Sequence, residues 1–174
     1  VVSSALLAQA PPKSEMPKIE AASPDSVARP VPHFFSPPQF AALRRLSDII
    51  MPKLGETPGA IDAGAPEFLD FLIGESPLQR RALYRSGLDS LNTRAIAKFG
   101  KAFGGLDNSQ AGTLLEPLLK PWAWDSPADV FAGFLRIAKS DILTATVNSR
   151  DWIAVASKRS RAANGIGTYW LPAD

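Results

Sequence analysis

Cysteine is absent from the 174 residues, and histidine occurs once, at His33. Without thiolates the chain has no disulfide, no thiolate zinc site, no iron–sulfur ligation by cysteine and no covalent haem attachment through Cys-x-x-Cys-His. A zinc hydrolase site or a Ser/His/Asp triad would have to rest on His33, which lies in a proline-rich stretch with no nucleophile elbow around it. Charge of one sign is scarce too. Nineteen basic and 17 acidic residues leave +2, too little for the broad positive field of a nucleic-acid-binding protein. No hydrophobic run approaches the roughly 20 residues that span a bilayer. What the chain does have is an apolar fraction of 45%, enough for the core of one ordinary domain.

The first residues read VVSSALLAQAPPKSE. Val1, Val2, Ala5, Leu6 and Leu7 look like the end of an apolar signal region, and Ala8-Gln9-Ala10 has the small-x-small form of a signal-peptidase site. This pattern predicts an exported protein, with the stretch a targeting or anchoring remnant of a longer precursor; the alternative is an Ala-rich terminus with no targeting role. Eight of the 16 prolines follow, at Pro11, Pro12, Pro17, Pro24, Pro30, Pro32, Pro37 and Pro38. That density prevents a continuous helix and favours extended or polyproline conformations. Residues 1–33 are therefore expected to form an extended tail that docks on another surface.

From residue 34 onward the segments share a punctuation. Ser36-Pro37-Pro38-Gln39, Ser76-Pro77-Leu78-Gln79, Asp107-Asn108-Ser109-Gln110 and Ser126-Pro127-Ala128-Asp129 each place a capping side chain three residues before Gln or Asp. Three of them add proline at the first helical position, where its missing N–H is not needed. Helical periodicity follows each: Phe40, Leu43, Leu46 or Ser47, and Ile50 in the first; Tyr84, Leu88, Leu91 and Ala95 in a long one over about 77–98; Ala111, Leu114, Leu115 and Leu118 in a short one bent or ended by Pro117; Phe131, Phe134, Leu135, Ala138, Ile142 and Ala145 over about 127–148. A further short helix over about 66–73 is expected to turn Phe68, Leu69, Phe71 and Leu72 toward the core. The fold class is thus all-α: a small irregular bundle of about five helices over residues 34–150, with the proline-rich tail before it and an irregular aromatic extension, residues 151–174, after it.

Between the first two helices runs IIMPKLGETPGAIDAGAPEFLDFLI, residues 49–73. Pro52 sets the chain direction, Pro58 restricts the turn, and Gly55 and Gly59 allow backbone conformations closed to other residues. The stretch holds no nucleophile, metal-ligand set or phosphate loop, so its rigidity serves shape: either plain chain reversal or a preformed contact surface at Pro52, Thr57, Pro58, Gly59 and Ala60. Asp62, Glu67 and Asp70 imitate paired catalytic carboxylates, but Glu67 and Asp70 sit at the start of a short helix, where the dipole favours acids without chemistry. Asp141, at the edge of an apolar stripe, is expected to pair with Arg136, Lys139 or an arginine of the long helix. The other face of that helix, with Arg80, Arg81, Arg85 and Arg94, reads as solvated surface before it reads as a basic docking face. Trp122 and Trp124 alternate in an extended linker, as two core anchors or with one turned outward as a contact hot spot. Tyr169 and Trp170 in the C-terminal extension are further partner-contact candidates. Gly165-Ile166-Gly167 lacks the third glycine and the flanking strand and helix of a dinucleotide fingerprint.

Phe35-Ser36, a helix ending in Asp48-Ile49-Ile50-Met51-Pro52, then Thr57-Pro58-Gly59-Ala60, Ala63-Gly64-Ala65 and Phe68-Leu69-Asp70-Phe71-Leu72 together resemble the gluconate 2-dehydrogenase subunit 3 family over about residues 34–150. The resemblance implies a small, non-flavin accessory subunit of a periplasmic, membrane-associated sugar or sugar-acid dehydrogenase. In such complexes a large FAD-dependent subunit oxidises the substrate, a multihaem cytochrome c commonly receives the electrons, and the small subunit supports maturation of the large one and often carries the twin-arginine export signal for both. No twin arginine stands in residues 1–33. The expectation is therefore a hetero-oligomeric, non-catalytic subunit with no cofactor, catalytic residue or metal site of its own, membrane-associated through a partner or its N-terminal segment. Two alternatives stand beside it: a scaffold subunit of another membrane electron-transfer complex containing haem or pigment subunits, and, far behind, a free-standing enzyme with an unusual spatial site.

Overall fold

The computed structural model describes residues 34–120, 127 and 129–163. Six helices follow in order: α1 (Pro37–Ile50), α2 (Ala65–Gly74), α3 (Leu78–Phe99), α4 (Asn108–Leu114), α5 (Val130–Val147) and α6 (Arg150–Ala163). Short 3₁₀ turns at Phe103–Gly105 and Glu116–Leu119 flank α4. Among the described residues the one departure from helix and loop is a single antiparallel bridge between Leu54 and Thr57. The all-α class expected from the periodicity is what the chain adopts.

Local chemistry sets the helix limits. At α1 the Gln39 side chain reaches back to accept the Ser36 N–H at 3.1 Å, and proline occupies the first turn. At α4 Asp107 and Gln110 exchange the same reciprocal bonds, the Gln110 N–H donating to Asp107 at 2.8 Å. Helix α3 closes on Gly100, whose φ of +70° is the left-handed conformation glycine adopts without strain.

Two expected caps are different. Ser76 does not cap α3: the carbonyl of Pro77 receives the first N–H groups, those of Arg80 and Arg81, while the Ser76 hydroxyl donates at 2.7 Å to the Leu72 carbonyl. With α2 ending only at Gly74, the serine is used to satisfy an orphan carbonyl of the preceding helix. Helix α5 starts at Val130, capped by Asp129, whose carboxylate accepts the Phe131 N–H at 3.2 Å. An acceptor directly before the first turn replaces the expected Ser126-Pro127 start. The stretch after residue 150 also contains α6, within what was expected to be an irregular extension.

The core lies where α1, α3 and α5 meet. Ala42, Leu43 and Leu46 of α1, Tyr84, Leu88, Leu91 and Ala95 of α3, and Phe134, Leu135, Ala138 and Ile142 of α5 are buried; apart from Ala42 these belong to the periodic set read from the sequence, of which Phe40, Ile50 and Ala145 are half-buried. Helices α3 and α5 approach closely because Gly87 has no side chain. A Cβ there would stand 2.2 Å from the Phe134 ring, which in turn packs edge-to-face on Tyr84 at 5.6 Å. Helix α2 lies against α1 and α5, contributing Leu69 and Ile73 to the same core. Phe68 and Phe71, expected inside, are instead 50% and 61% exposed. A ten-residue helix touching its neighbours along one side cannot bury every side chain of Phe-Leu-Asp-Phe-Leu-Ile.

A polar tie joins α3 to α5. Asp141 accepts from Arg80 Nη2 at 2.8 Å and from the Tyr84 hydroxyl at 2.6 Å, so the expected arginine partner from the long helix is Arg80. Burial, reinforced by the Asp141 carboxylate, pushes the Tyr84 hydroxyl well above its usual range. The folded state therefore holds this proton where the unfolded chain releases it, so the tie is at full strength below pH about 10 and is lost as pH rises beyond that. We expect the Tyr84→Phe chain to be less stable than the parent at neutral pH by about 1–2 kcal/mol. That gap should narrow above pH about 10, in denaturant unfolding followed from pH 7 to 11. A gap unchanged over this range would contradict the tie.

Candidate functional site

The stretch between α1 and α2 is organised by its own backbone. After Pro52 the chain makes a two-residue hairpin: the Leu54 N–H donates to Thr57 O at 3.1 Å and the Thr57 N–H to Leu54 O at 2.9 Å. Gly55 has φ +58° and Glu56 does not have a positive φ, the pattern of a type II′ turn, which places glycine first. A second layer then seals the base. The Ala60 N–H donates to Met51 O at 2.8 Å, the Ala63 N–H to Gly59 O at 3.0 Å and the Ala65 N–H to Ala60 O at 2.9 Å. Asp62 accepts the Gly59 N–H at 3.0 Å and lies 3.5 Å from Lys53 Nζ. Gly64, at φ +65°, turns the chain into α2.

Gly59 has a different role from the one its residue type suggested. Its φ is not positive; the requirement is space. A Cβ would come within 2.6 Å of the Lys53 nitrogen and 2.8 Å of the Met51 carbonyl oxygen. Pro58, Gly59 and Ala60 are buried against the opposite limb of the loop, Thr57 is half-buried, and Pro52 lies on the exposed rim with Lys53, Leu54, Gly55 and Glu56. Of the residues expected to meet a partner, those at the centre of the TPGA word thus hold the loop together. The rim carries the exposed surface, and Leu54 at its tip is 70% exposed. Trp122, Trp124, Tyr169 and Trp170 lie outside the described residues.

Asp62, Glu67 and Asp70 each have a structural partner. Glu67, in the first turn of α2, pairs with Arg44 of α1. Asp70 is not a first-turn acid: it is the sixth residue of α2, 2% exposed, and its carboxylate accepts the N–H of Phe35 at 2.8 Å and of Phe34 at 3.2 Å. Arg45 donates to Asp48 at 3.0 Å, to Asn108 at 2.8 Å and to the Leu106 carbonyl at 3.1 Å. Beside them is an open cleft of about 540 Å³ lined by Arg44, Arg45 and Lys53 together with Asp48 and Asp62. The cleft offers no nucleophile with a base beside it, and among the described residues no group of three His, Asp or Glu side chains could hold a metal ion.

The arginine face of α3 is used by the fold. Arg80 pairs with Asp141, Arg85 stacks 4.2 Å from the centre of the Phe34 ring, and Arg94 stacks 4.1 Å from that of Phe131. Among the exposed apolar side chains, Leu54, Phe68 and Phe71 lie on the loop and on α2. Phe68 borders a second cleft, of about 400 Å³, between α2 and the end of α5, floored by Leu69, Leu72 and Ala145. The expectation set both phenylalanines in or near the core; with Phe68, Leu69, Phe71, Leu72 and Ile73 all in one short helix, some apolar side chains must face outward.

The family model described as Gluconate 2-dehydrogenase subunit 3 matches residues 37–153, two thirds of the chain, from the first residue of α1 into the first turn of α6. No curated protein and no solved structure matches.

Because the Gly59 contact is to backbone on all sides, Gly59→Ala is expected to destabilise the domain by about 1–3 kcal/mol, through shifts that reopen the loop base. Equilibrium denaturation of the two chains reads this directly. Gly112→Ala, where a Cβ meets no atom within 4 Å, is the matched control and should stay close to the parent. Equal stabilities for Gly59→Ala and the parent would show that the close approach carries no constraint.

Proposed function

The chain belongs to the gluconate 2-dehydrogenase subunit 3 family, and from that premise we propose that it is the non-catalytic structural subunit of an exported, membrane-associated dehydrogenase, holding an FAD-dependent subunit in its mature, stable form. The family consists of accessory subunits of dehydrogenase complexes, and its partner is an FAD-dependent dehydrogenase subunit. The observation that carries the proposal here is the extent of the match together with the character of what it covers. It takes in the whole described bundle from α1 to α5, where Asp62, Glu67 and Asp70 hold backbone N–H groups or a neighbouring cation.

In this reading the rim of the loop, Pro52 to Thr57, is a preformed contact element. Its main-chain groups are fixed by the Leu54–Thr57 hairpin, so little conformational freedom is lost when a partner closes on Leu54. Trp122, Trp124, Tyr169 and Trp170 add aromatic contacts of the type that dominates interfaces. No helix among the described residues is long and apolar enough to cross a membrane. Membrane association then comes through the partner subunits or the N-terminal segment, and electrons pass from the flavin to a cytochrome c without entering this chain. The Ala-rich N-terminal pattern supports export, and with it a periplasmic location for the complex.

Affinity purification of the full chain from the native membrane fraction tests the proposal. A flavin-containing dehydrogenase subunit is expected in a fixed ratio to the chain, and Leu54→Asp should lower its recovery while the chain itself stays folded. Recovery of the chain as a monomer, or with haem or pigment proteins and no flavoprotein, would overturn it.

A further inference from the structure

Helix α6 packs on α5, and from Ala154 onward it lies beyond the family match. Its sequence, RDWIAVASKRSRAA, carries four basic residues against one acidic, in a chain whose whole excess is +2. The positive charge of the chain is thus gathered in this helix. Its start is fixed, because the Ser149 hydroxyl accepts the Trp152 N–H at 3.1 Å. Around the helix axis, at about 100° per residue, Trp152, Ile153, Val155 and Ala156 fall within an arc of about 160°. Packing on α5 does not cover that arc: Ile153 is 52% exposed, Ala156 is exposed, and Trp152 and Val155 are each half-buried. Arg150 and Lys158, both exposed, stand about 60° beyond the two edges of the arc.

The helix dipole favours cations in the last turn, but it does not account for apolar side chains left uncovered in the first two. Cations alone would suit any acidic surface. Trp152 and Ile153 with a cation on each edge of their arc form the pattern of a helix lying in a membrane interface. There the apolar groups enter the outer acyl layer and the basic side chains reach the lipid phosphates. Fourteen residues rise about 21 Å, short of the roughly 30 Å hydrocarbon core, so the helix can lie on a bilayer and cannot cross it. We propose that α6 is an interfacial helix that seats this chain on an anionic lipid surface. It acts beside the partner subunits and the N-terminal segment, since stable anchoring of a peripheral chain takes more than one weak signal. Such seating needs no other protein, so it stands or falls apart from assembly with a flavoprotein.

Co-sedimentation of the full, isolated chain with lipid vesicles tests this. The parent is expected to partition about tenfold more strongly onto phosphatidylcholine vesicles holding about one phosphatidylglycerol in three lipids than onto phosphatidylcholine alone. Ile153→Asp/Lys158→Gln is expected to lose about tenfold of the anionic binding. Lys158→Gln by itself, an exposed change that leaves the apolar arc intact, should lose about fivefold. Residues 1–33 are the same in all three chains, so these losses report α6, and circular dichroism checks that both variants keep their helices. Equal partition of the parent and either variant would overturn the proposal, as would equal binding of the parent to the two kinds of vesicle. So would vesicle binding kept by the double variant while its recovery of a flavin-containing subunit falls, which would assign the arc to a protein partner.

Discussion

The carboxylate of Asp70 ties the start of the domain to its candidate site. It is a buried charge near the middle of α2, and it accepts the N–H groups of Phe34 and Phe35, which precede α1. Hydrogen bonds to an ionised acceptor are each worth about 1.5–3 kcal/mol, roughly twice a neutral pair. Through them the chain from Phe34 through α1, the loop and α2 becomes one closed unit. Phe34 then receives Arg85 over its ring, and Phe35 lies near Tyr84, so the same anchor also brings α3 into place. A residue that looked like a helix-terminal acid is a fastener between elements far apart in sequence.

Within the unit so closed, the loop keeps its shape without help from outside. Backbone pairs at Leu54–Thr57 and Met51–Ala60, the Asp62 carboxylate on the Gly59 N–H, and the backbone-to-backbone approach at Gly59 account for the pro-gly punctuation of the sequence. The loop faces a cleft of mixed charge, and it presents a rim on which the side chain of Leu54 is exposed. Such a surface is suited to being recognised, which agrees with membership of a family of accessory subunits.

Much of this was legible in the sequence wherever a rule is local. The stripes of α1, α3 and α5, the reciprocal caps at Ser36 and Asp107 and the helix stop at Gly100 follow from periodicity and short-range hydrogen bonding, and the TPGA word with its neighbours led to the family. What was not legible depends on packing over distance. Glycine at position 59 signals either a positive φ or a close approach, and only the position of Met51 to Lys53 decides between them. Asp70 reads as a dipole-favoured acid until Phe34 and Phe35 are seen above it, and Ser76 reads as a cap until the Leu72 carbonyl is found within reach. Phe68 and Phe71 read as lying in or near the core because composition tells how apolar a helix is, not how many sides of it are covered.

An accessory role means that the consequence of this chain appears in another protein. The most direct measurement is the amount of flavin-loaded dehydrogenase subunit recovered from cells that make the full chain and from cells that lack it, with total dehydrogenase polypeptide measured in parallel. The account predicts that, without the chain, flavin-loaded subunit falls severalfold and that restoring the chain restores it. Unchanged recovery of loaded, active dehydrogenase in the absence of the chain would contradict it.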